Sequence, residues 1–142
     1  MRLLEHLHGA LGWLALAALV HPALLLRRRP SAHLAVVLAC GLITLAAGGG
    51  VLLYPTYREG VKGAVFRHSA QVGLLFERKE HLSFGAVLLA WGGGAGYWTS
   101  CKAGDPMAQV LRRFAARAFA VSALLAGVAS VCGAVVASVG SF

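Results

Sequence analysis

The sequence predicts an all-α integral membrane protein, a four-helix bundle that forms one domain over residues 1–142. Of its 142 residues, 58% are hydrophobic and 13% charged, and the mean hydropathy is +0.74. A soluble domain of this size carries considerably more charge. Each of four uncharged segments is near or above the roughly 20 residues that a spanning helix needs. These segments are residues 7–26, 33–57, 81–101 and 118–142.

Turn and charge signals place the predicted helices at residues 3–26, 33–54, 81–100 and 107–138. Arg27-Arg28-Arg29-Pro30 separates the first two, Pro55 ends the second, and Gly104-Asp105-Pro106 precedes the fourth. Short loops between apolar helices predict antiparallel neighbours. Residues 58–80 are polar, and the spacing of their apolar residues predicts a short amphipathic helix that lies at the interface or caps the bundle.

The charge and the cysteines exclude several classes of protein. A net charge of +8 on loops beside apolar helices indicates contact with a negatively charged lipid surface, and we expect no nucleic-acid partner. The three cysteines form no CxxC or CxxCH motif, which leaves covalent haem attachment and a zinc knuckle without support. Cys40 and Cys132 are expected to be buried as small hydrophobic residues.

Membrane orientation is nearly balanced, with six basic residues on each side. One side carries Arg27, Arg28, Arg29, Lys102, Arg112 and Arg113, and the other carries Arg2, Arg58, Lys62, Arg67, Arg78 and Lys79. The compact arginine triplet directly after the first helix favours a cytoplasmic location for that side. We therefore expect a multi-pass protein of a bacterial inner membrane with both termini outside.

The second and third predicted helices share a glycine pattern. Gly41 precedes the triplet Gly48-Gly49-Gly50 by six intervening residues, and Gly85 precedes Gly92-Gly93-Gly94 in the same way. A separation of seven residues is close to two helical turns, so the single glycine and its triplet share a face. Such a face is a groove of bare backbone that admits another helix or a planar cofactor.

Histidines are expected at matching depths on neighbouring helices, opposite these glycines. His33 should face the glycine triplet of the third predicted helix, with His21 close to it on the arginine-triplet side. His81 should face the triplet of the second predicted helix, with His6 or His8 at its level. Two axial imidazoles from different helices, with glycine where the ring passes, are what a bis-histidine b-type haem needs. The candidate haem-iron ligands are His21, His33 and His81. The wider cofactor-binding set adds His6, His8, Gly41, Gly48, Gly49, Gly85, Gly92 and Gly93.

On these residues the chain resembles the small four-helix b-type membrane cytochromes. The resemblance rests on the histidines and glycine triplets and covers the first three helices. It implies one or two haem b groups held between helices and a role in electron transfer, commonly to or from quinone. The chain departs from that family because only its first helix offers two spaced histidines, and its fourth helix offers none.

Two other functions stay open, and no catalytic residue is identified. Glycine triplets also serve close helix packing, so the chain is alternatively a non-catalytic small subunit or assembly factor of a larger membrane complex. Other membrane subunits, or further copies of the chain, would then be its partners. The third hypothesis is a metal or proton site at Glu77, Glu80 and His81, with His68 or His8. Glu77 and His81 are four residues apart and share a helical face.

Overall fold

The computed structural model describes residues 2–29 and 31–139, apart from the side chains of Arg2, Glu5, Val61, His68 and Val139. This part of the chain is helical and contains no strand, which confirms the predicted all-α class. The elements are α1 (Arg2–Leu25), α2 (His33–Thr56), a π-helical turn (Tyr57–Val61), α3 (Lys62–His68), α4 (Ala70–Ser100) and α5 (Met107–Val139).

Three helices are long and apolar enough to cross a membrane: α1 over His6–Leu25, α2 and its extension over His33–Gly60, and α5 over Met107–Ser138. The sequence predicts four such segments. The predicted segment at residues 81–100 lies in α4. Within the described chain, α4 is not apolar enough to count with the other three helices. Its third turn carries four consecutive charged residues, and its second half is rich in glycine and in tryptophan and tyrosine, which add little hydropathy.

The segment predicted as one amphipathic helix over residues 58–80 is divided among three elements. The helical path continues through Pro55 into the π-helical turn, and α3 follows it. Then α4 begins at Ala70, eleven residues before the predicted start at His81. The Ser69 hydroxyl accepts a hydrogen bond from the Val72 amide at 3.4 Å and caps this start.

Polar contacts fix the relative direction of α2 and α4. The Ala32 amide donates to the Tyr97 hydroxyl at 2.9 Å, and the Cys40 thiol donates to the Ala90 carbonyl at 3.4 Å. The contact point therefore moves back along α4 as it moves forward along α2, which makes the two helices antiparallel. Cys40 is buried, in agreement with its predicted role as a small hydrophobic residue.

Small residues bring α5 close to its neighbours. The buried Ser122 hydroxyl donates to the Ala86 carbonyl of α4 at 2.7 Å. Helix α5 also packs against α1. Helix α1 in turn packs against α2, and α2 contacts α4. The buried positions of α5 are mostly alanine: Ala108, Ala115, Ala116, Ala118, Ala123, Ala126 and Ala129. Side chains of this size let helix backbones approach closely, which is the packing expected between membrane helices.

Candidate functional site

A histidine does lie against a glycine triplet, but it is His8 of α1. A Cβ atom at Gly50 would lie 3.2 Å from His8 Cε1, and one at Gly49 would lie 3.4 Å from His8 Nδ1. The sequence placed His81 opposite this triplet. Instead, His81 is exposed, and its Nδ1 lies 2.9 Å from the carbonyl oxygen of Glu77 in its own helix. The α2 triplet therefore accommodates the imidazole of a different helix from the one expected.

The histidines on the arginine-triplet side make no direct contact with each other. His33 is exposed and meets Tyr97 edge-on, with ring centroids 5.3 Å apart. His21 is also exposed, as is His6 at the other end of α1. Within residues 2–29 and 31–139, no ring contact or hydrogen bond joins two of these imidazoles. Axial imidazoles that share a haem do not touch each other, so the pairing of His21 with His33 stays a prediction.

The glycine triplet of α4 is filled by protein side chains. A Cβ at Gly93 would lie 3.2 Å from Ala118 Cβ and from two ring carbons of Phe119 on α5. A Cβ at Gly94 would lie 3.1 Å from Cys40 Sγ on α2. The same holds at Gly85, where Leu125 Cδ1 lies 3.3 Å away. This face of α4 thus receives another helix, one of the two occupants that its glycines predict.

The fit of a bis-histidine haem can be tested on these contacts. His8 packs directly on the α2 backbone, which leaves no gap for a planar ring between the imidazole and the glycines. Nothing lies within 4 Å of a Cβ position at Gly41, Gly48 or Gly92, but Gly41 and Gly48 are exposed. Among the described residues, His8 is the one histidine in contact with a glycine of either triplet. Haem binding stays a prediction from the sequence.

Three ionisable side chains converge at the end of the helices where α1 begins and α5 ends. We call His8, Lys79 and Glu80 the ionisable cluster. Lys79 is mostly buried, and its Nζ would lie 3.5 Å from a Cβ at Gly133 of α5. Its Nζ also lies 5.0 Å from the Phe76 ring centroid, at a distance typical of a cation–π contact. The ammonium group is thus directed between helices.

His8 completes the cluster from α1. Its Nδ1 is shielded from solvent and has no well-aligned hydrogen-bond partner among the described groups, although the Ala46 carbonyl and the Lys79 charge lie near the ring. A shielded ring nitrogen without a partner is costly in a folded protein and needs an explanation. When this nitrogen carries the ring proton, the Ala46 carbonyl is the acceptor near it.

An outer layer of contacts holds α3 and the π-helical turn against α4. Tyr57 stacks on Phe76 with ring centroids 3.7 Å apart, and Lys62 forms an ion pair with Glu77 at 2.9 Å. Both members of this ion pair are partly exposed, so it adds little stability. The hydrogen bond to Glu77 raises the pKa of Lys62. Glu77 is therefore engaged by Lys62 and is not directed toward His81.

The described residues contain no group of three or more histidine, cysteine or acidic side chains that could hold a metal ion. The predicted contribution of the His68 side chain lies outside the described residues. What the ionisable cluster offers is an amine, a carboxyl group and an imidazole within one buried region. Comparisons of the chain with models of protein families, with curated proteins and with solved structures find no match.

Proposed function

We propose that the chain is a multi-pass integral membrane protein in which α1, α2, α4 and α5 form a four-helix bundle. Its ionisable cluster binds and releases a proton during ion or proton transfer. The observation that carries this proposal is the position of the Lys79 ammonium against Gly133 of α5, on a side chain that is mostly buried. Ionisable side chains inside membrane bundles are costly and are typical of ion and proton pathways.

The packing of α4 supports its inclusion as the fourth spanning helix. It runs antiparallel to α2, and its glycine face is covered by α5. Both of these neighbours are apolar enough to span a membrane. A helix of modest hydropathy can cross a bilayer when its polar and small residues face other helices.

The chemistry of the cluster allows a proton to move between two helices. A proton that passes from Lys79 Nζ to the imidazole of His8 leaves a neutral amine and moves the positive charge from α4 to α1. The cluster thus offers two protonation arrangements within one site.

We expect the Lys79→Met variant to lose proton transfer, because it removes the donor and keeps an apolar stem of similar length. Proton flux is measured with a pH-sensitive dye trapped in vesicles that contain the purified protein. We expect flux to fall at least about tenfold, the scale of removing one essential proton donor. Lys102→Met is the matched control, since Lys102 is exposed at the other end of α4. Equal flux in all three proteins contradicts the proposal.

The haem-binding function that the resemblance implies is a second proposal, with electron transfer to or from quinone. Its support is the sequence pattern of histidines and glycine triplets, of which Gly41 and Gly48 have nothing within 4 Å of their Cβ positions. The test is an absorption spectrum of the purified protein, air-oxidised and then reduced with dithionite. Sharp reduced bands that weaken in His8→Ala or His33→Ala and persist in Glu77→Gln are expected if haem binds.

A featureless spectrum from protein expressed with ample haem contradicts the haem proposal. If that colourless protein also co-purifies with other membrane proteins, the result supports the third proposal, a non-catalytic subunit or assembly factor.

A further inference from the structure

A positively charged cavity opens where α1 ends and α5 begins. Its volume is about 410 Å³. Four of its lining residues are arginines, and buried apolar side chains form part of its wall. The arginines are Arg27, Arg112, Arg113 and Arg117, and the buried apolar residues are Leu26 and Ala116. This cavity lies at the opposite end of the helices from the ionisable cluster.

The positive charge in this cavity is largely uncompensated. Arg112 Nη2 lies 3.9 Å from Asp105 Oδ1, and the Asp105 side chain is 75% exposed. The other three arginines form no ion pair within the part of the chain that the structure describes. Guanidinium groups match phosphate oxygens in pairs of parallel hydrogen bonds, so four of them around one cavity favour a phosphate group.

An apolar groove follows the same pair of helices away from the arginines. It has a volume of about 610 Å³, and Leu16 and Val20 of α1 and Leu124 and Val128 of α5 line it. At about 100° per residue, Arg27 lies roughly 20° from Val20, and Arg117 lies roughly 20° from Leu124. The groove and the cavity therefore share one face of the α1–α5 pair, roughly 10 Å apart along the helix axis.

We propose that this face binds one anionic phospholipid, with its phosphate among the four arginines and one acyl chain along the apolar groove. Basic pockets between membrane helices bind anionic lipid headgroups at the membrane surface. A free phosphate ion could use the cavity alone, but it would make no use of the groove. The order of the two features, charged at the helix end and apolar toward the middle, is that of a phospholipid in a bilayer.

Binding is tested with the full-length protein in a neutral detergent, by titration with phosphatidylglycerol. Phosphatidylcholine with the same acyl chains is the lipid control. The Arg113→Gln, Arg117→Gln double variant should bind phosphatidylglycerol at least about tenfold more weakly, because each arginine near a lipid surface contributes substantially to binding. The matched control is Arg28→Gln with Arg29→Gln, which removes the same charge from exposed residues outside the cavity.

Two further measurements identify the source of the phosphate. Inorganic phosphate should bind far more weakly than phosphatidylglycerol. Val128→Phe should weaken lipid binding and leave phosphate binding unchanged, because Val128 lines only the groove. Circular dichroism verifies that each variant folds. Equal binding of the two lipids, equal losses in both arginine pairs, or phosphate binding as tight as lipid binding would each overturn the proposal.

Discussion

Replacing Gly93 with leucine should destabilise the protein by about 3 kcal/mol, at the upper end of what overpacking a core costs. A Cβ atom at this position would already lie 3.2 Å from Ala118 and from the Phe119 ring. Both residues are buried and have no space into which to move. The three further carbons of leucine would force α4 and α5 apart at this contact.

Gly92 provides the matched control for this prediction. It lies in the same triplet, but nothing is within 4 Å of its Cβ position. Leucine at Gly92 should be neutral or slightly stabilising, because glycine inside a helix is about 1 kcal/mol less favourable than a good helix former. The free energy of unfolding is measured by denaturant titration in mixed detergent micelles.

The same two variants also test whether this face of α4 binds a cofactor. If Gly93 packs only against α5, Gly93→Leu lowers stability, and any haem absorbance falls only in proportion to unfolded protein. A variant that keeps its stability but loses haem absorbance would contradict the packing described here. It would support the cofactor groove predicted from the sequence.

The positions of the apolar helices could be predicted because their signals are local. Charge-free runs, Pro30 and the Gly104-Asp105-Pro106 turn mark where the chain enters and leaves apolar segments. The start of α4 at Ala70 could not be read in this way. Residues 77–80 are all charged, so they interrupt the apolar pattern of α4 and make residues 70–80 resemble a separate surface element.

The candidate site was predicted in part. His8 and the α2 triplet were both identified, and they do meet, but His81 was expected there. Which histidine faces the groove depends on the rotation of each helix about its own axis, and no local signal fixes that rotation. Lys79 was missed as a buried group because the segment 76–81 reads as uniformly polar. Once α4 is extended to Ala70, Phe76 and Lys79 are three residues apart and share a face.

Removing the Phe119 side chain should cost about 3 kcal/mol in the Phe119→Ala variant, because the deleted ring leaves a cavity between α4 and α5. Phe119 is fully buried, with 0% of its surface exposed. Between membrane helices the loss is one of van der Waals packing, since lipid solvates apolar groups as well as protein does. Phe84→Ala is the control, because the Phe84 side chain is 66% exposed and should cost little.

A double variant connects the two predictions. Leucine at Gly93 occupies space that the Phe119 ring fills, so Gly93→Leu should be better tolerated in the Phe119→Ala background than in the parent protein. The double variant should therefore lose less stability than the two single variants lose in sum. The difference is a coupling energy of about 1 kcal/mol or more. Additive losses would show that Gly93 and Phe119 do not contact each other. In that case α5 does not fill the glycine groove of α4.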